Sequence, residues 1–198
     1  MKYIIRCLVT ILVINLQTGQ VTAQGKIFFR TDSIVGTSTV LTPDNKKLIN
    51  IIAASIGAQN VLNIGSSSGG VGAGKSTPGT LTLALEGVVE LQDFKKLFFN
   101  KSILPKCYVI YTRNGADSIS YANDYYIIAL GNARIIDIAE AGVQGEMPTT
   151  NISLAYGVAT YYYRKTNALG VPIITPVTSN WNYIKNTDTD AVALPSKY

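Results

Sequence analysis

Histidine is absent from all 198 residues. That removes the side chain that most often serves as general base near neutral pH and as metal ligand. Cysteine is nearly absent too, with only Cys7 and Cys107. Cys7 falls in an N-terminal segment expected to be removed, so the remaining chain holds a single thiol and no internal disulfide. Cys107, next to an apolar run, reads as a small buried hydrophobe rather than a reactive thiol. Charge is sparse at 15% of residues, and no Lys/Arg block exceeds two residues. The basic stripe that nucleic-acid binding requires is therefore missing. Asp93, Asp117, Asp124, Asp137, Glu140 and Glu146 are scattered among turns and strand ends and read as solvated carboxylates. Asp124 and Asp137 could in principle pair across a sheet as acid and base, but no spacing brings them together. No Ser has a His or Lys arranged around it. These absences point away from an enzyme and from any cofactor or metal site.

What is present begins with an address. Lys2 and Arg6 precede an apolar run from Cys7 to Leu16, and Val21-Thr22-Ala23 supplies small residues at −3 and −1 of a cleavage point. The run is well short of the ~20 residues that a membrane span needs. The expected reading is a signal peptide over residues 1–23, sending the protein to the periplasm or outside the cell with no stable membrane span. Cleavage would leave residues 24–198, in which 15 basic residues face 12 acidic ones, a net charge of +3. A chain of that length supports one substantial core, so one domain is expected.

Gly69-Gly70-Val71-Gly72-Ala73-Gly74-Lys75-Ser76 satisfies the phosphate-loop pattern G-x-x-x-x-G-K-[ST]. That motif works only where a helix starts at the Lys, since its free N–H groups and dipole hold the phosphates. Here Pro78-Gly79 follows at once and an alternating pattern begins at Thr80, so no helix is expected. Gly69, Gly74, Lys75 and Ser76 are read as a chance match within a Gly/Ser-rich loop over residues 63–79.

Elsewhere the chain reads as strands. Residues 25–35 (GKIFFRTDSIV) form a first strand, with Ile27 and Phe29 on one face. Residues 46–57 (KKLINIIAASIG) suit either a strand or a helix capped by Asp44. Residues 80–90 (TLTLALEGVVE) alternate, with Leu81, Leu83 and Leu85 inward. Residues 91–99 are the one convincing helix, because Leu91, Phe94, Leu97 and Phe98 share a face. Residues 107–113 are a strand, turned by Asn114-Gly115 into a partner at 118–130. Residues 133–139 continue the sheet, and 140–148 form a loop. In PTTNISLAYGVATYYY, from Pro148, the residues Ile152, Leu154, Tyr156 and Val158 alternate with Ser153, Ala155, Gly157 and Ala159. A polar link at 164–170 leads on to Ser179-Asn180-Trp181-Asn182. The tail, 187–198, is polar and expected to be frayed and flexible. Tyr121, Tyr125, Tyr126 and Tyr161 to Tyr163 suit cross-strand ladders or a subunit interface. Short strands separated by turns, with a single helix, suggest a small barrel or sandwich.

From Pro148 onward the order and content resemble the haemolysin-coregulated protein (Hcp) family, the tube subunits of type VI secretion. The family's P-T-E-x-[VI]-S-L-x-[YF] strand is matched by Pro148, Thr149, Ile152, Ser153, Leu154 and Tyr156, and its G-W-[DN] strand by Trp181 and Asn182. Thr150 stands in place of the usual Glu, and Asn180 in place of Gly. The resemblance implies a mainly β fold: a small β-barrel of two packed antiparallel sheets with one helix at its side. It also places a strand at 46–57. It implies a structural subunit that assembles with itself into hexameric rings, able to stack into a hollow tube that passes effector proteins. It puts the loop residues Gly69, Gly70, Val71 and Gly72 at ring-to-ring contacts, and Tyr161, Tyr163 and Trp181 at the assembly surface. Tube subunits of the family are normally made without a signal peptide. A reading from another class is an exported monomeric β-barrel module that binds a glycan or protein.

Overall fold

The computed structural model describes residues 25–60, 76–113, 123–168 and 171–195. The signal segment, most of the Gly/Ser loop and the Asn114-Gly115 turn lie outside these residues. Among the described residues there are nine strands and one helix, and no helix is long and apolar enough to cross a membrane. The strands are β1 Ile27–Thr31, β2 Ile49–Ile51, β3 Ala53–Asn60, β4 Ser76–Glu86, β5 Leu104–Thr112, β6 Asp124–Ala141, β7 Thr149–Ala155, β8 Val158–Tyr163 and β9 Val177–Asn182; α1, Leu91–Phe99, lies between β4 and β5.

All neighbouring strands are antiparallel, in the order β2-β1-β5-β6-β7-β4-β3, with β8 and β9 branching from β6. The long β6 belongs to two sheets. Its first half pairs with β5 on one edge and β8 on the other, and its second half pairs with β7. Sheet A is therefore β2-β1-β5-β6-β8-β9, and sheet B is β3-β4-β7-β6. The sheet is not closed by hydrogen bonds, because its two ends are β2 and β3. Those ends are consecutive in the chain, and Ile52 alone separates them, with its N–H donating to Ala84 O at 2.9 Å. At Ile52 the backbone thus turns one corner between the two sheets.

The second corner is made where β6 crosses from sheet A to sheet B. Asn132 adopts φ 52° there, and Gly157 N–H donates to Gly131 O at 3.1 Å. Ile128 and Leu130 face the common core before the corner, and Ala133 and Ile135 face it afterwards. One side chain has been skipped, which re-aims the strand. The partner strand breaks at the same level. Ile152, Leu154 and Tyr156 point into the core, but on β8 it is Ala159 and Tyr161 that do so, and Val158 faces outward. The alternation expected to run unbroken from Ile152 to Val158 is corrected at this point. Gly157 sits where a Cβ would meet Ile184 Cδ1 at 2.6 Å.

Inside the two sheets, Phe29, Leu83, Leu85, Val109, Leu130 and Ile152 form a core with no measurable exposure apart from traces at its edge. The helix contributes Phe94, whose ring lies 5.9 Å from that of Phe29. Burying these side chains stabilises the fold by roughly 1.5–3 kcal/mol each. The helix occupies the expected residues, and the stretch over 46–57 is extended rather than helical, as β2 and β3. Ser76 to Gly79, expected as loop, belongs to β4.

The tail departs most from expectation. Residues 187–195, expected to be frayed, run across the outer face of sheet A. Asn180 of β9 donates to the carbonyls of Asp188 and Thr189. On β8, Thr160 Oγ1 accepts Val192 N–H at 2.8 Å, and Tyr162 OH donates to Val192 O at 2.7 Å. On β5, Tyr108 OH donates to Ala193 O at 3.0 Å. Beneath it Phe28, Tyr108, Ile110, Ile127, Ala129 and Val158 form a second apolar layer, covered by Val192 and partly by Leu194, and by Val40 and Leu48 of the loop before β2.

Candidate assembly surface

Three strands lie at an edge among the described residues: β2 pairs only with β1, β3 only with β4, and β9 only with β8. The β9 edge is partly closed by its own chain, since Asn182 bridges back to Thr187. The β3 edge is bare over AASIGAQN, which has no charge and no Pro. Strands left at an edge normally carry such residues to prevent pairing with another chain, so this one is a template for strand addition. Its one irregularity is at Gly57, between Ile56 and Ala58, whose carbonyl accepts Tyr156 OH at 2.9 Å.

Tyrosines line the inner side of sheet A at the end away from the corner. The register sets Ile27, Tyr111, Tyr126, Tyr163 and Val177 side by side across five strands. The Tyr111 and Tyr126 rings lie 5.5 Å apart, and Tyr126 stacks on Tyr161 at 6.5 Å with 12° between planes. Such pairs contribute beyond the area they bury. Of the predicted assembly residues, Tyr163 is 48% exposed, while Tyr161 and Trp181 are half-buried against the core. Burial pushes the Tyr161 hydroxyl up to about 12, with the neighbouring Tyr183 and Tyr126 adding to it. Trp181 Nε1 is buried without a hydrogen-bond partner. Val171, Ile173, Ile174 and Val177, in and beside the β8–β9 connection, are exposed aliphatics that the sequence reading passed over. Their signal was there, as GVPIITPV in a link otherwise polar.

Gly69, Gly70, Val71, Gly72, Gly74 and Lys75 lie outside the described residues. Ser76 opens β4, so the chain that follows the Lys-Ser pair is a strand, as the Pro78-Gly79 argument required. The strand leaves no N-terminal dipole aimed at a phosphate.

The carboxylates need one correction. Asp124 is not solvated; it is fully buried and accepts Arg164 Nε at 3.1 Å. Burial raises its pKa, opposed by the charge and hydrogen bond of Arg164. Arg164 also donates to Ile174 O, and its own carbonyl accepts Arg113 Nη2 at 2.8 Å. The pair therefore ties β5, β6 and β8 to the aliphatic connection, a structural role. Asp124 opens β6 and Asp137 lies in its other half, so the two do not form an acid–base pair. Cys107 is fully buried, and burial pushes its thiol up to about 12, which leaves it unreactive near neutrality. Among the described residues, no three His, Cys, Asp or Glu side chains cluster as metal ligands.

No protein-family model matches the sequence, and no curated protein matches it. Solved structures do match it. One described as a type six secretion system protein superimposes with a TM-score of 0.71 at 18% identity, over 83% of this chain and 99% of that one. Hcp1 from Salmonella typhimurium gives 0.63 at 14%, over 83% and 99%. A type VI secretion system effector from Yersinia pestis gives 0.57 at 14%, over 79% and 98%. The chain has the Hcp-like fold.

Proposed function

We propose that this chain is a structural subunit that assembles with itself into rings through its strand edges. The observation carrying the reading is an Hcp-like fold over nearly the whole length of its structural neighbours, with a bare, uncharged β3 edge. A head-to-tail contact between one edge and a different surface of the next copy gives a ring when the rotation closes. Six subunits is the number the Hcp resemblance implies. Stacked rings would make a hollow tube for the passage of effector proteins, with the Gly/Ser loop at residues 69–72 meeting the next ring. Tyr161, Tyr163 and Trp181 lie near the contact with the neighbour. The work is self-assembly and conduction of cargo, without bond chemistry, cofactor or nucleic acid. Residues 24–198 act as one domain after removal of the signal peptide, in the periplasm or outside the cell.

Light scattering with negative-stain imaging of residues 24–198 tests this. Rings of about six subunits are expected, and Ser55→Lys on the β3 edge should abolish the rings with an unchanged melting temperature. A wild-type monomer at every concentration would sink the ring reading. It would favour the alternative for which the half-exposed row Tyr111, Tyr126 and Tyr163 speaks: a monomeric module holding a glycan or protein on that row.

A further inference from the structure

The outer face of sheet A is built to hold an extended peptide. Three side chains on two strands, Thr160, Tyr162 and Tyr108, hydrogen-bond the backbone of Val192 and Ala193, at 2.8, 2.7 and 3.0 Å. Backbone contacts of this kind read chain shape rather than sequence, and side-chain pockets then supply the selectivity. The pocket here is the place of Gly131, where a Cβ would lie 3.0 Å from Val192 Cγ2 and 3.4 Å from Val158 Cβ. Absence of that Cβ is what seats Val192. Leu194, two residues on, lies over the same apolar layer. Asn182 and Lys185 hold Asp190 at 2.9 and 2.7 Å, which marks the start of the bound segment. Apart from the Lys185–Asp190 pair, each of these contacts comes from a residue outside the covalent link at 183–186.

We infer that this face is a peptide-binding groove that accepts residues 187–195 of a second copy in place of its own. The ligand class is written in the seated segment: extended, anionic at its first part, with aliphatic side chains two residues apart. Exchange of a terminal element between identical chains needs no new contact, only a connection that can open. The inference does not depend on the β3 edge, so the Ser55→Lys background separates it from ring formation.

The test uses the chain from Gln24 with that background, a version ending at Asn186, and a labelled peptide of residues 187–195. The shortened chain should bind the peptide saturably, the intact chain far more weakly, and the peptide carrying Val192→Asp about tenfold or more weakly, since a carboxylate has no partner in an apolar seat. Intact and shortened chains should form a mixed complex by light scattering. A shortened chain that melts cooperatively but binds no peptide, or binds both peptides alike, overturns the groove. One that binds peptide but never the intact chain overturns the second-copy assignment. Should the shortened chain not fold, a protease site placed between Asn186 and Thr187 lets the folded protein be cut. Retention of the cut segment and its exchange for labelled peptide supports the groove; loss without exchange overturns it.

Discussion

The outer faces of the two sheets differ in kind. On sheet A the row Phe28, Ile110, Ile127 and Tyr162 runs in register under a cover supplied by the tail and the loop before β2. On sheet B the corresponding rows are Ser55, Thr82, Ser153 and Asp137, then Ala53, Ala84, Asn151 and Ala139, small and open to solvent. A strand buried on both faces need not alternate, and β5 (LPKCYVIYT) does not; a strand with one wet face must, and β4 (STPGTLTLALE) does. Sheet A is thus a middle layer between two apolar contacts, and sheet B an ordinary outer wall.

That contrast can be broken deliberately. The largest effect is expected at the end of sheet A, from Arg164→Met, which leaves Asp124 buried without its cation; a loss of about 3–5 kcal/mol in urea unfolding at neutral pH is expected. The Asp124 pKa is already raised by burial. In this variant it rises further, so the deficit should shrink as pH falls and the carboxyl protonates; an equal loss at pH 7 and pH 4 would argue against the pair. Next comes Ile110→Ala, on the outer side of sheet A, at about 2–5 kcal/mol, a core-like loss from a position that a two-layer protein would expose. Alkaline titration should test the burial on both faces of sheet A. Tyr108 and Tyr161, both on sheet A, are pushed up to about 12 from 10, chiefly by burial. Their folded pKa values exceed the unfolded ones, so their contribution is intact below pH 10 and lost between about pH 10 and 12. Melting temperature and phenolate absorbance should fall and rise together across that window. Smallest is Thr82→Ala on the outer face of sheet B, within about 0.5 kcal/mol of wild type.

The alternating part of this architecture was legible. Leu81, Leu83 and Leu85 gave the inner face of β4, and the i, i+3, i+7 spacing of Leu91, Phe94 and Phe98 gave the helix; 46–57 suited strand or helix by its residues, and the resemblance decided for a strand. Three things were hidden. The corners at Ile52 and at Gly131–Asn132 change which parity faces inward, and no local propensity announces a skipped side chain. Asp124 looked like any turn carboxylate because its cation is Arg164, forty positions away in sequence and adjacent only through the β6–β8 ladder. The tail looked polar because only two apolar side chains, Val192 and Leu194, meet the sheet, and the rest of its hold is backbone and the Asp190 carboxylate. The open β3 edge was legible only in retrospect, as a strand without a charge or a Pro.

Part of the cover of sheet A, Val192 and Leu194, is made long after the strands that it covers. A ribosome delivers Phe28, Tyr108 and Ile127 long before Val192, and domains begin to fold while their ends are still being synthesised. Until Val192 emerges, part of an apolar surface meant for burial stays uncovered, and a product cut short before Asp190 would keep it so. Copies truncated before Asp190 should therefore be the ones that chaperones and proteases retain, so that the seated segment reports synthesis at least as far as Leu194.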